Sequence, residues 1–263
     1  MRIVALQSSA RKGGNTERIV RLIEESLRRR SRREGFPLEF EYVALADRNL
    51  SLCRGCRVCF DRGEAHCPLK DDLPGLYKKL LDADGAIFAS PVYVEDVTAG
   101  MKNFIDRMAF NCHRPAFAGK TALIVTTSGA ESSGRAARTL EFALGSWGFH
   151  IAGDRKFRMG ALMAEADAAD KFGRDADRLA EKLSRAIADK KALTPSFYSL
   201  MIFRVQQSIY RSAPQFKGTY DRAQWEQNGW LDKKRAFYIP HRANPVKTAA
   251  ARAAGAVLAK LFK

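Results

Sequence analysis

Ser8-Ser-Ala-Arg-Lys-Gly-Gly-Asn-Thr16 stands between two stretches of opposite character. Before it, Ile3 to Leu6 is a short apolar run of β-type residues. After it, Ile19, Val20, Leu22, Ile23 and Leu27 fall on one stripe of a helix over Thr16 to Arg30. A buried strand that feeds a helix through a polar, glycine-bearing loop opens an α/β unit. In open α/β sheets, ligands bind beyond the carboxyl ends of the strands. Backbone N–H groups and the helix dipole favour an anion there. Gly13 and Gly14 allow close backbone approach. Ser9, Asn15 and Thr16 can donate hydrogen bonds, and Arg11 supplies a cation. The set suits one terminal phosphate. No Gly-Lys-Ser/Thr follows, so this is not a P-loop, and it lacks the GxGxxG spacing. A polar turn with an N-cap is the plain structural alternative.

The same alternation continues outward. Strands are expected over Phe40–Leu45, Gly85–Ser90, Thr121–Thr127 and Phe149–Ala152. Helices are expected from Asp71 or Asp72 through Leu81, over Ala99–Met108, Arg135–Trp147 and Asp167–Lys190. Five strands alternating with helices predict a doubly wound parallel sheet in three layers. Residues 1–190 form this domain. From Pro195 the pattern changes. Ser196 to Tyr210 reads as a helix, residues 213–245 as irregular and aromatic, and Val246 to Phe262 as a closing helix. Residues 191–263 are thus a separate C-terminal extension.

Charge divides along the same boundary. The 263 residues carry a net charge of +16. The extension has 13 Lys and Arg against 3 acidic residues, a net +10, and the body only +6. Such a field attracts anionic partners. A hydrophobic fraction of 46% excludes disorder over the whole length. No apolar run is long enough for a spanning helix. The first residues read as a strand and not as a secretory signal, so a cytoplasmic location is expected.

Two further loops are expected at the phosphate-binding edge. Ser90, Pro91, Val92, Tyr93 and Val94 follow the third strand. Thr127, Ser128, Gly129 and Ala130 follow the fourth. In a flavodoxin-like order these strand ends are neighbours, at the place where flavin mononucleotide (FMN) binds. Read in series, Ser-Ala-Arg-Lys-Gly-Gly-Asn-Thr, Cys-Arg-Gly-Cys-Arg-Val-Cys, Lys-Asp-Asp-Leu, Ser-Pro-Val-Tyr and Met-Lys-Asn-Phe-Ile-Asp-Arg resemble the NADPH-dependent FMN reductase family. Within it the chain looks most similar to the iron–sulfur flavoproteins. The resemblance covers about residues 1–190 and departs at Ser8 and Ala10, where members commonly have Gly and Pro. It implies a flavodoxin-like fold, bound FMN, and electrons from NAD(P)H or a reduced, acidic protein donor. It also implies that Ser9, Arg11, Asn15 and Thr16 hold the phosphate. Pro91, Val92, Tyr93 and Thr127 to Gly129 would then line the ribityl chain and ring. A homodimer or homotetramer is the usual assembly.

Four of the five cysteines are packed into fifteen residues as Cys53-x2-Cys56-x2-Cys59-x7-Cys67. In a reducing compartment such a cluster points to metal or redox chemistry, not to disulfides. Tight Cys-x2-Cys-x2-Cys spacing lets one loop wrap three corners of a cubane, with a fourth ligand from farther along. In iron–sulfur flavoproteins a compact motif of this kind ligates a [4Fe–4S] cluster. Zinc and a cluster-free loop are the alternatives. Without the cluster, the same fold reads as an NAD(P)H:flavin or quinone reductase. A third reading, from another class, is a non-catalytic redox carrier or membrane-associated module.

No acid–base constellation is evident. Cys112-His113 reads as a helix end and His66 as an exposed loop residue. The five arginines between Arg28 and Arg33 read as a solvated helix terminus, since no nucleic-acid-binding module accompanies them. The closing helix places Val257, Leu258, Leu261 and Phe262 on one face, with Arg252, Lys260 and Lys263 opposite. Docking on its own domain or a sister subunit is expected first, and contact with an anionic membrane second. The aromatics from Tyr198 to Tyr238 fit an extension that covers the flavin edge or a subunit contact.

Overall fold

The computed structural model describes residues 1–129 and 134–262. Ala130 of the expected flavin loop lies outside the described residues, as do Lys263 and the side chain of Phe262. Nine helices longer than a single 3-10 turn and six strands are described. They run β1 (Arg2–Gln7), α1 (Asn15–Glu34), β2 (Glu39–Ala44), α2 (Val58–Asp61), α3 (Leu73–Asp82) and β3 (Gly85–Tyr93). Next come β4 (Asp96–Val97), α4 (Ala99–Arg107), β5 (Thr121–Ser128), α5 (Gly134–Ser146), β6 (His150–Arg158) and α6 (Glu165–Ala188). The extension holds α7 (Phe197–Ser212), α8 (Tyr220–Gln227) and α9 (Pro245–Leu258).

Five strands pair in parallel in the order β2-β1-β3-β5-β6. This is the flavodoxin-like order, with the switch point between β1 and β3. Side chains alternate along β1: Ile3 and Ala5 join the layer of α1 and α6, while Val4 and Leu6 join the opposite layer. On the first face Ile19, Val20, Ile23 and Leu27 of α1 pack with Leu179 and Leu183 of α6. Each such buried aliphatic side chain contributes about 1.5–3 kcal/mol. On the other face Leu76 and Leu80, Phe104, and Leu140 and Leu144 bring in α3, α4 and α5. Covering both faces is what all-parallel strands need, and it places their carboxyl ends at one open edge.

Three expected boundaries shift for physical reasons. Strand β6 continues past Ala152 to Arg158, with a bulge where Leu123 pairs with Gly153. It is an edge strand, so Asp154, Arg155 and Lys156 face solvent and hide its period. Strand β3 runs through Pro91 and Val92 to Tyr93, then folds back as a hairpin onto β4. Its two turn residues, Val94 and Glu95, have φ of +48° and +68°, a conformation that asparagine and glycine normally supply. The helix α8, inside the stretch expected to be irregular, buries only Asp221 and Trp225, so it shows no apolar stripe.

The extension has a core of its own, in which Leu200, Phe203, Tyr210, Trp225, Trp230 and Tyr238 pack together. Trp225 stacks between Phe203, at 5.6 Å, and Tyr210, at 4.9 Å. Helix α9 docks on α7, and here the expected face is corrected. Ala251, Gly255 and Ala259 are buried, whereas Val257 and Leu261 are exposed. A Cβ on Gly255 would lie 2.5 Å from the Met201 carbonyl oxygen. The small residues therefore make the contact because the two helices pass too closely for larger side chains. Among the described residues, no helix is long and apolar enough to cross a membrane.

Candidate functional site

Two adjoining sites lie at the carboxyl edge, and helix α4 connects them. At the first, the Ser8–Thr16 loop runs into α1, whose first turn has no side-chain cap at Gly14. Gly13 takes φ +62°, and its N–H donates to Glu17 Oε2 at 2.9 Å. The Ser9 hydroxyl accepts from the Arg11 N–H at 3.1 Å, which tightens the loop. Thr16 and Thr127 share a hydroxyl–hydroxyl hydrogen bond of 2.7 Å. Both are buried, so the α1 turn and the end of β5 are joined as the sequence reading requires. A loop of this shape, ending in an uncapped 20-residue helix with hydroxyls beside it, fits a terminal phosphate.

Other residues from the sequence reading are partly committed elsewhere. Asn15 donates from Nδ2 to the Gly160 carbonyl at 3.2 Å and accepts the Met163 N–H at 3.0 Å. Arg11 donates to the Ala161 carbonyl at 3.1 Å. Both side chains therefore tie the segment after β6 to the phosphate loop. Sequence reasoning missed that segment, because its residues 159–163 are neither charged nor periodic. Ser90 is fully buried, and its hydroxyl accepts from Ser8 Oγ at 3.1 Å and from the Thr98 N–H at 3.2 Å. It fastens β1, β3 and α4 to one another. Pro91 and Val92 are half-buried, and Tyr93 is exposed at the hairpin tip. Ser128 and Gly129 lead out of β5 at the same edge, where Ser128 and Gly129 carbonyls accept from Met159 and Gly160. Pro91, Val92 and Tyr93, expected to line the ring, thus stand on a strand and its hairpin where the sequence reading expects a loop.

At the second site, Cys53, Cys56, Cys59 and Cys67 all line one cleft of about 370 Å³. Every cysteine is a free thiol. Residues 51–57 have no regular secondary structure, and Gly55 and Arg57 take φ of +62° and +63° to wind the chain round the cleft. Helix α4 anchors this loop. Asn103 accepts the Cys53 N–H at 3.1 Å and donates to the carbonyls of Leu50 and Ser51. One turn on, Arg107 donates to the Ser51 carbonyl at 2.8 Å and to Asp71 at 2.5 and 3.1 Å. It also lies 4.0 Å from Cys67 Sγ. Burial pushes the Asp71 carboxyl up, but Arg107 and the backbone N–H groups of Ser51 and Leu73 outweigh it and hold it below its ordinary value. Burial pushes the Cys59 thiol up to about 11. A thiolate there needs positive charge nearby, which Arg114 offers.

Four free thiols on one cleft are the donor chemistry that a [4Fe–4S] cluster takes, one thiolate to each iron. Among the described residues, no three Cys, His, Asp or Glu side chains already gather round one metal position.

A third group of residues, behind the cysteine segment, carries no local signal in the sequence. Asp221, from the extension, is buried and accepts from Arg114 Nε and from His113 Nδ1, each at 2.6 Å. His113 is thus held by a carboxylate and does not pair with Cys112, whose thiol meets Ser146 Oγ at 3.2 Å. Trp225 and Gln206 hydrogen-bond the carbonyls of His113 and Cys112. The extension therefore packs beside the cysteine cleft. In the Arg28–Arg33 run, Arg28, Arg29, Arg32 and Arg33 are solvated as expected, whereas Arg30 is largely buried and donates to Ser184 Oγ on α6 at 3.1 Å.

A flavodoxin-like sheet with this loop set defines a flavin-binding α/β domain. The chain belongs to the NADPH-dependent FMN reductase family, which it matches over residues 1–161. Its relatives place it in the iron–sulfur flavoprotein branch. It is 28% identical over 233 residues to an iron–sulfur flavoprotein of Archaeoglobus fulgidus, covering 88% of this chain and 100% of that one. It is 39% identical over 107 residues to an iron–sulfur flavoprotein of Methanocaldococcus jannaschii, covering 41% of this chain and 51% of that one. Among solved structures, RosB with bound 8-demethyl-8-formylriboflavin-5'-phosphate shares the fold. The TM-score is 0.56 at 14% identity, over 93% of this chain and 92% of that one. Membership of the family makes this an FMN-dependent oxidoreductase.

Proposed function

We propose that the protein takes electrons from NAD(P)H or a reduced protein donor and passes them through FMN and a [4Fe–4S] cluster to an acceptor. The observation that carries this reading is the placement of Cys53, Cys56, Cys59 and Cys67 on one cleft, which α4 ties to the carboxyl edge of the sheet. Bound FMN would supply two-electron acceptance and one-electron release, which suits a one-electron cluster next to it.

The chain's own residues do the positioning. The first turn of α1, with Ser9, Thr16 and the remaining N–H groups of Arg11 and Asn15, would hold the phosphate. The β3–β4 hairpin, through Pro91, Val92 and Tyr93, and the strand end Thr127 to Gly129 would flank the ring. Helix α4 sets the spacing between the sites. Thr98 caps it beside Ser8, and Asn103, five residues on, binds the Cys53 N–H. At 1.5 Å per residue these anchors are about 8 Å apart along the helix. Arg107 supplies a buried positive charge against the negative charge of four thiolates. Exposed Arg54, Arg62 and Lys70, close in sequence to the ligands, suit an acidic electron-carrier protein. A homodimer or homotetramer would cover the exposed Tyr93 and Val94.

Iron, acid-labile sulfide and FMN measured on anaerobically purified protein test this. About four irons per chain are expected, falling sharply in Cys56→Ser. Iron content unchanged by that substitution would remove the cluster. The second reading, a cluster-free NAD(P)H:flavin or quinone reductase, draws on the solvent exposure of Cys53 and Cys56.

A further inference from the structure

We infer that the C-terminal extension is a working part of the cysteine site: Asp221, acting through Arg114, is a positioning residue that sets Cys59 against Cys67. The relation follows from one guanidinium. Arg114 uses each of its three nitrogens on a different segment. Nε donates to Asp221 Oδ1 at 2.6 Å, Nη1 to Glu64 Oε2 at 2.7 Å, and Nη2 to the Cys59 carbonyl at 2.8 Å. Glu64 begins the 3-10 turn Glu64–His66 that delivers Cys67. The two halves of the x7 gap between the last cysteines are therefore held by the same planar group. A guanidinium donates in a fixed fork, so its orientation dictates where both acceptors lie.

Asp221 dictates that orientation. Its side chain is 2% exposed, and Arg114 is 9% exposed. His113 Nδ1, at 2.6 Å, and the Tyr210 hydroxyl, at 3.3 Å, also donate to the carboxylate. With this many partners in a buried place the carboxylate has one position. The neighbouring residue adds an independent contact. Tyr220 lies under Arg114 at 4.8 Å, and a Cβ on Gly63 would be 3.2 Å from its ring. Gly63 takes φ +96° and lies between Cys59 and Cys67. Only a residue without a side chain lets the chain turn there against that ring. The start of α8 thus presses on the cysteine segment by shape and holds it by charge. Substrate chemistry is not involved, so Asp221 positions and does not catalyse.

A consequence for electron transfer follows only if the cleft holds a cluster, so the decisive measurement is made on metal-free, reduced protein. Each thiol is alkylated with iodoacetamide and its rate read by mass spectrometry. In Asp221→Asn the carboxylate charge is lost and its shape kept. Labelling of Cys59 and Cys67 is expected to rise about tenfold relative to Cys112, the factor one charge-assisted hydrogen bond corresponds to. Cys112 is the internal control, because the extension also binds its carbonyl. Glu64→Gln cuts the same tie from the cysteine side without touching the buried carboxylate. It should raise Cys67 in the same way, and Asp221→Glu should restore part of the protection. Unchanged Cys59 and Cys67 labelling in both single variants would overturn the assignment. So would a parallel rise at Cys112, since the extension would then be loosening as a whole. If wild-type protein never binds iron yet the labelling follows this pattern, the cluster reading fails and the clamp stands. In protein that does bind iron, the Asp221→Asn cluster should show a shifted reduction potential and altered visible and electron paramagnetic resonance spectra.

Discussion

At the flavin edge, each group comes from the carboxyl end of a parallel strand or from the turn directly after it, and the longest ties join those ends to one another. In the cysteine cleft, the four thiols come from one short segment, but the groups that fix them come from far away. Asn103 and Arg107 belong to α4, Arg114 to the turn after it, and Asp221 to the extension. The first site is a product of the sheet's topology and needs only the strand order to exist. The second needs two cores packed against each other. A protein built this way can vary the cysteine cleft by changing the extension, while the flavin edge stays as the sheet makes it.

The largest effect expected from this contrast is in the extension. Trp225→Ala removes a fully buried ring from the centre of its core and should cost about 3–5 kcal/mol. Urea unfolding followed by far-ultraviolet circular dichroism should then show an early transition ahead of the main one. FMN affinity, read by flavin fluorescence, should hardly move. An equal loss of FMN affinity would show that the two sites are not separable.

Arg107→Met comes next. It strands the Asp71 carboxylate in a buried site, at a cost of about 3 kcal/mol. The pH dependence has a definite sign. Asp71 is held below its ordinary value in the folded protein, so it stabilises fully above the unfolded pKa. That contribution fades as pH falls through the lower folded value. The deficit of Arg107→Met should therefore be largest near neutrality and shrink as pH falls into the acid range, where the stranded carboxyl, pushed up by burial, takes up its proton. A deficit independent of pH would mean that the methionine loses packing and not the ion pair.

Thr127→Val should have a smaller effect, confined to the flavin edge. It breaks the 2.7 Å hydroxyl pair with Thr16. One hydrogen bond of about 1 kcal/mol predicts roughly fivefold weaker FMN binding with no change in iron content. Arg29→Ala should do least. Its pair with Asp177 is solvent-exposed, so a stability change of about 0–1 kcal/mol and no change at either site are expected.

The same contrast explains what could be read from the chain. The order of strands and helices was legible because buried parallel strands and amphipathic helices announce themselves by period. The phosphate loop and the cysteine spacing were legible because each is a local string. Arg107 lay in a motif that could be quoted, Met-Lys-Asn-Phe-Ile-Asp-Arg, yet its partner Asp71 lies 36 residues away and nothing local joins them. Asp221 was not legible at all. It is one of only three acidic residues in a basic stretch, on a helix with a single apolar anchor, and its partner Arg114 is 107 residues distant. The strained Val94-Glu95 turn was equally hidden, because valine is among the last residues expected at positive φ. The face of α9 was misread for a related reason. Large apolar residues mark a core only where helices leave room for them, and α7 and α9 approach too closely.

The central claim is that one chain holds FMN and a cluster at the two ends of α4. Its most direct test is the ultraviolet–visible spectrum of protein purified without oxygen, recorded before and after dithionite. Flavin bands on a broad shoulder near the blue, both bleached by reduction, with iron and FMN present in fixed proportion, are the expected result. Flavin bands alone, from protein never exposed to oxygen, would contradict it and leave the cysteine cleft without a metal.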